Sequence, residues 1–209
     1  ALCVITIVYG SARAVKEPHF KRRLAFSTVS NLSYILLGAS LMSPAGLTCS
    51  LTHMVFHGII KINAFFCAGA VMTVAKRNYV SEMAGIGRKM PITMAAFTVS
   101  ACALVGIPPF NGFVSKWKLV SAGVTDGSVM GMIGGIAIFV SAMLTVVYMF
   151  SIVIKAFFPG KEEVLCDSGK DPGWMETVPM MVFCVLMLLT GLFPQMLIDG
   201  LASVATGLC

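Results

Sequence analysis

The chain has 209 residues, 57% of them hydrophobic and only 11% charged, and its mean hydropathy of +0.90 excludes an ordinary soluble domain. A helix needs about 20 apolar residues to cross a bilayer, so about six or seven crossings would use most of the length and leave no room for a soluble catalytic domain. The formal net charge of +6 sits in short loops and at segment ends, where it reports topology rather than nucleic-acid binding.

The chain opens inside an apolar run, residues 1 to about 14, with no basic region ahead of it. It reads as neither a signal peptide nor a natural start, but as the tail of a longer helix that something precedes. A second apolar segment covers about 24–42 and a third about 51–75. The third contains His53-Met-Val-Phe-His57-Gly-Ile-Ile-Lys61. Side chains at i, i+4 and i+8 lie on one helix face and climb about 12 Å along it. One histidine on an apolar helix reads as a packing residue, whereas two in register with a midspan lysine need another reason. A charge near the bilayer centre costs about 2.5 to 3.5 kcal/mol on insertion scales, so Lys61 is a functional candidate.

The stretch 92–124 is too long for one simple helix and is interrupted by Gly106-Ile-Pro108-Pro109-Phe-Asn-Gly112. Paired prolines remove donors and glycines permit unusual backbone angles, so the helix must break there. Irregular backbone at membrane depth survives only when buried in protein or lining a wet cavity, which predicts one discontinuous span in two halves. Two further segments, about 129–158 and 178–204, flank a polar loop at 159–176. The loop acids Glu162, Glu163, Asp167 and Asp171 read as a solvated surface or one facing a neighbouring subunit. Gly127, Gly131 and Gly135 have the spacing of close helix contacts.

Lysine and arginine mark the cytoplasmic or matrix side of short loops. Arg13, Lys16, Lys21, Arg22 and Arg23 follow the first segment; Lys76, Arg77, Arg88 and Lys89 follow the third; Lys155, Lys161 and Lys170 precede the last. All share a side only if 92–124 crosses once, and the opposite connections, 43–50 and 125–128, hold no Lys or Arg. Lys61, Lys116 and Lys118 are then left for the interior.

Desolvation disfavours the charged form of a buried amine, and histidines exchange protons near neutrality. Lys61, His57, His53 and Lys116, joined by the hydroxyls of Ser27, Ser33, Thr52 and Ser115, therefore supply the parts of a proton wire. Two residues carry competing readings. Lys116 and Lys118 could both snorkel to headgroups, and Lys21, beside Arg22 and Arg23, could equally anchor a helix end.

The cysteines at 3, 49, 67, 102, 166, 184 and 209 have no ligand spacing, and neither a disulfide nor a metal is expected. No Gly-rich phosphate loop, paired carboxylates, activated nucleophile or cofactor ligand set is present, so the chain is expected to bind no cofactor and to hold no enzymatic site of its own.

Three stretches together resemble a known family. They are Phe20-Lys-Arg-Arg-Leu-Ala-Phe-Ser-Thr-Val-Ser30, similar to a K-R-x-L-A-Y-S-T-x-S helix start; His53-x3-His57-x3-Lys61 followed by Asn63-Ala-Phe-Phe-Cys-Ala-Gly; and Gly106-Ile-Pro-Pro-Phe-Asn-Gly-Phe-Val-Ser-Lys116. In this order and separation they resemble the carboxyl-terminal half of an antiporter-like subunit, the type shared by respiratory complex I, energy-converting hydrogenases and Mrp cation/proton antiporters.

The resemblance implies an all-α polytopic membrane protein with about six to seven transmembrane helices, one discontinuous at 106–112, forming one half-channel repeat with flanking helices. Residues 1–209 are expected to form a single transmembrane domain, part of a longer unit. The resemblance further implies that Lys61 is a central proton-carrying lysine flanked by His53 and His57. Lys116 is then the terminal residue on the broken helix, and Lys21 a basic residue linking two half-channels. The first repeat, with its membrane glutamate and partner lysine, is absent, so another chain or segment must supply it, alongside other membrane subunits.

Three functions follow as expectations. The first is a proton-translocating subunit of a redox-driven complex of the NADH:quinone oxidoreductase or hydrogenase type. The second is a subunit of an Mrp-type sodium/proton antiporter. The third is a non-transporting membrane scaffold.

Overall fold

The computed structural model describes residues 1–160 and 170–208. Lys161, Glu162, Glu163, Cys166, Asp167 and Cys209 lie outside them.

The protein is an all-α polytopic membrane protein. Its elements are α1 (Leu2–Lys16), α2 (Phe20–Ala39), α3 (Pro44–Ala70, prolonged by a π-helical turn at Val71–Ala75), α4 (Ile86–Lys89), α5 (Pro91–Val105), α6 (Asn111–Thr125), α7 (Val129–Phe157), α8 (Trp174–Leu192) and α9 (Gln195–Leu208). The stretches Pro44–Ala75, Val129–Phe157 and Trp174–Leu192 are each long and apolar enough to cross a membrane alone. α2 has the length, 20 residues, but buried Arg23, Ser27, Ser30, Asn31 and Ser33 dilute its hydropathy. α5 and α6 have 15 residues each, about 22 Å apiece, so they cross only in series.

α3 is the central helix, packed against α2, α5, α6, α8 and α9, while α7 closes the other side against α1, α5 and α6. Its start follows from sequence: Pro44 needs no donor partner at the first helical position, and Ser43 accepts from the Gly46 amide at 3.1 Å. Ser128 caps α7 through the Gly131 amide at 3.0 Å. Gly131 then lies backbone to backbone against Gly123 of α6, where a Cβ would strike the Gly123 carbonyl. The basic-side loop is laced to the start of α2 by Phe20 N to Asn78 O and Val80 N to Pro18 O, both at 2.9 Å. Glu82 closes this loop, accepting from the Asn78 and Tyr79 amides at 3.0 and 3.1 Å.

Two sequence-based expectations change. The segment expected at 178–204 is two helices, because Pro194 cannot donate to a continuing helix and the chain turns at Phe193 (φ −121°, ψ 59°). Asp171 is not a free surface acid. Its carboxylate accepts from the amides of Ile92 (3.1 Å) and Thr93 (2.9 Å) and from the Thr93 hydroxyl (2.8 Å), so it caps α5 from far along the chain. The first amides of α5 have no intrahelical partners, and Pro91 leaves the cap position to Met90, which carries no side-chain oxygen.

Candidate functional site

His53, His57 and Lys61 project from one face of α3 and are buried, with 2, 4 and 6% exposure. Lys61 Nζ donates to the Leu24 carbonyl at 2.9 Å and to the Ser27 hydroxyl, both on α2, and lies 5.8 Å from the centre of the Phe65 ring. The two imidazoles stack with centroids 5.7 Å apart and planes 18° apart. His53 Nδ1 pairs with Ser115 Oγ of α6 at 2.9 Å. Its Nε2, and both nitrogens of His57, are buried without a hydrogen-bonding partner among the described residues. Buried polar atoms in native proteins are nearly always satisfied, by ordered water where protein does not reach, so these nitrogens mark a place suited to water.

The break positions the far end of the row. α5 ends at Gly106, whose φ of 93° only glycine adopts readily. Gly112 begins α6 so close to α5 that a Cβ would collide with the Ala103 carbonyl. This approach brings Lys116 back across the gap, where Nζ donates to Leu104 O at 2.6 Å and Val105 O at 3.2 Å. A cation there meets the partial negative charge of a helix carboxyl end. Lys116 is 7% exposed, so its nitrogen turns inward rather than to the headgroups, while Lys118 is half-buried nearby. Pro108 and Pro109 are exposed at the break, and the Pro109 carbonyl abuts Gly191 at the end of α8.

The fold thus gathers Lys61, Ser27, His57, His53, Ser115 and Lys116 into one buried row across α2, α3 and α6. Three expected members lie elsewhere. Lys21 is exposed. Ser33 accepts from exposed Thr6 at 2.8 Å and donates to the Val29 carbonyl. Thr52 is buried but bonds its own helix, at the Thr48 carbonyl.

Other residues join the interior without having been singled out. Arg23, not Lys21, is the buried base at the start of α2: it donates to Glu17 O at 2.8 Å, Tyr148 O at 3.2 Å and Ser151 Oγ at 2.9 Å. Tyr34, Ser30, Ser11 and Ser141 form a buried hydroxyl cluster linking α2, α1 and α7. The signal for it was present: Arg23, Ser27, Asn31 and Tyr34 recur at helical spacing, as do Ser141, Thr145, Tyr148 and Ser151 in an otherwise very apolar helix.

Buried amines, stacked imidazoles and a broken helix inside a helical membrane fold define an antiporter-like transmembrane subunit. The profile of the family described as "NADH:quinone oxidoreductase/Mrp antiporter, TM" matches residues 1–157, and the chain belongs to that family. It is 31% identical to NADH-quinone oxidoreductase subunit N of Desulforudis audaxviator over 95% of this chain and 41% of that protein. It is 30% identical to NAD(P)H-quinone oxidoreductase chain 4 of a Synechococcus species over 97% of this chain and 38% of that one.

Among solved structures, a chain of the Mrp complex from a Dietzia species matches with a TM-score of 0.85 at 26% identity, covering 97% of this chain and 45% of that one. A chain of Thermus thermophilus respiratory complex I matches in fold, with a TM-score of 0.86 at 22% identity over 98% of this chain and 42% of that one. The chain spans about two fifths of the length of these curated relatives.

Proposed function

We propose that this chain forms the proton-translocating, carboxyl-terminal half-channel of a redox-driven membrane complex of the NADH:quinone oxidoreductase or related type. The observation that carries the proposal is that, among the described residues, Lys61 and Lys116 are both buried, both bonded to uncharged oxygens only, and separated by two imidazoles with unpartnered nitrogens. A proton leaves Lys61 for the His57 and His53 ring nitrogens, with water bridging where protein does not, and reaches Lys116 past Ser115. The names of the sequence relatives favour the redox-driven assignment.

Electron-transfer cofactors would belong to other subunits. Another chain or segment would supply the first half-channel, with Lys21, exposed at the start of α2, facing the junction. The basic loops would lie on the cytoplasmic or matrix side.

The alternative is an Mrp-type sodium/proton antiporter subunit, favoured by the fold match to the Dietzia complex. Genes for iron-sulfur and quinone-reactive subunits beside this one would select the first reading; genes for small Mrp subunits would select the second. A non-transporting scaffold is the third reading, and it fails if one side chain controls transport. Lys61→Ala in the assembled complex is expected to abolish coupled proton movement while leaving assembly intact. Wild-type proton flux in that variant would overturn the proposal.

A further inference from the structure

Both lysines, one on α3 and one on α6, reach α2. Lys61 Nζ bonds Leu24 O and the Ser27 hydroxyl, and Lys116 Nζ lies 5.7 Å from the centre of the Tyr34 ring. Ser27, Asn31 and Tyr34 follow one another along a single buried face of α2, antiparallel to Lys61, His57 and His53 on α3, and the Tyr34 ring packs 5.4 Å from that of His53. Asn31 Nδ2 donates to Ser27 O at 2.8 Å, while its Oδ1 is buried without a partner among the described residues.

α7 adds hydroxyls to this face. Tyr34 donates to Ser141 Oγ at 2.6 Å, Ser141 contacts Ser30 at 3.0 Å and also Ser11, and Ser11 contacts Ser30 at 2.8 Å. Ser30 donates to the Ile7 carbonyl at 2.9 Å. A serine hydroxyl has one hydrogen to give. With the Ser30 hydrogen on Ile7, the hydrogens of Ser11 and Ser141 can fill only two of the three contacts among these serines. One place in the cluster is therefore always short of a hydrogen, and rotating a hydroxyl moves the shortage. A buried cluster held only for stability gains by having every pair satisfied; one with interchangeable hydrogen arrangements is suited to passing protons.

We infer that a second proton file runs between Lys61 and Lys116 along α2 and α7, through Ser27, Asn31, Ser30, Ser141 and Tyr34, in parallel with the histidine file on α3. The inference rests on the proton-transfer reading above and names a further route within it. Each hop is balanced: the Lys61 ammonium gives one hydrogen to Ser27 Oγ, which turns its own from the Leu24 carbonyl to water held beside Asn31; Ser30 and Ser141 each take one hydrogen and release one, and the Tyr34 hydroxyl turns from Ser141 to give its hydrogen, through water, to the amine of Lys116. Asn31 holds water with its amide and does not itself change protonation. The hydroxyls carry no resting charge, whereas the imidazoles can store one.

The test is whether the two files act in parallel or in series, read as proton uptake by native-membrane vesicles containing the assembled complex, normalised to the amount of assembled chain. A positioned proton-transfer group contributes about 100-fold to 10,000-fold, so His57→Phe alone should lose less than about tenfold if a second file carries protons, and His57→Phe with Tyr34→Phe more than about a hundredfold. Tyr34→Phe deletes one oxygen and keeps the ring packed, so it is the variant least able to disturb folding. Ser141→Ala in the same His57→Phe background provides the second reading.

Complete loss of flux in His57→Phe alone overturns the second file, and so does flux in the double variants equal to that of His57→Phe. Lys61→Ala separates the two levels. Wild-type flux there removes the proton-transfer reading itself, while lost flux there, with Tyr34→Phe silent in the His57→Phe background, removes only the α2–α7 route.

Discussion

Lys116 stands on the second half of its broken helix and donates to Leu104 at 2.6 Å, across the gap on the first half, with Val105 O at 3.2 Å beside it. One side chain therefore closes the open carboxyl end of α5 and places an amine at the end of the buried row. A structural role and the proposed transport role meet in it, and chemistry can separate them.

Lys116→Arg keeps a cation and several donors for the two carbonyls but cannot release a proton near neutral pH, because a guanidinium stays charged. Its thermal unfolding midpoint in detergent should stay close to wild type while proton uptake is lost. Lys116→Leu leaves both carbonyls unpartnered at about 1 to 3 kcal/mol each, so it should lose stability as well as flux. Substantial proton uptake by Lys116→Arg would show that the residue acts only as a cap.

Gly112→Ala drives a Cβ into the Ala103 carbonyl, and the obstacle is backbone, which cannot swing aside. The α5/α6 crossing must open, displacing Ser115 and Lys116, and a loss of about 2 kcal/mol or more is expected from the overpacking. Gly58 has nothing within 4 Å of an added Cβ and lies mid-helix in α3. Gly58→Ala should therefore be neutral or stabilise by about 0.5 to 1 kcal/mol. Unfolding midpoints of the two purified variants that fail to diverge in this way would contradict the packing described at the break.

Asp171 supplies both oxygens of the α5 cap, so Asp171→Ala should cost about 1 to 2 kcal/mol, whereas Asp171→Asn keeps one acceptor and should cost less. Hydrogen exchange at the Ile92 and Thr93 amides checks this directly. Protection must fall in Asp171→Ala and partly persist in Asp171→Asn.

The break and the row were legible because each violates a strong local rule. Paired prolines cannot sit in a continuous helix, and two imidazoles with an ammonium on one face do not belong in hydrocarbon. The hydroxyls of α7 break no such rule. Ser141, Thr145 and Tyr148 recur at helical spacing, but hydroxyls are tolerated in any apolar helix, and their partners on α1 and α2 appear only when the helices are packed together. The Asp171 cap was hidden by its distance in sequence from Thr93, since capping is read from neighbouring residues. Pro194 was readable as a helix stop, but the hydrophobic run on both sides of it concealed the division of α8 from α9. At the start of α2 three bases stand in a row, and composition does not say which turns inward; packing against Glu17 and α7 selects Arg23.

The last prediction concerns pH on the basic side. The backbone N–H groups of Tyr79 and Asn78 hold the Glu82 carboxyl below its ordinary value, because they stabilise the ionised form. A group whose folded value is depressed contributes stability that is present above its unfolded value, about 4.3 for Glu, and is lost as pH falls through the lower folded value. The clasp at 78–82 should therefore stay closed at neutral pH and loosen only under acid conditions. The lacing of this loop to Phe20 and Pro18 should weaken with it. Limited proteolysis of the loop at graded pH should show cleavage rising below about pH 4 in the wild type. In Glu82→Ala, cleavage should already be high at pH 7 and nearly independent of pH. A wild-type profile retained in Glu82→Ala would assign the acid sensitivity to another group.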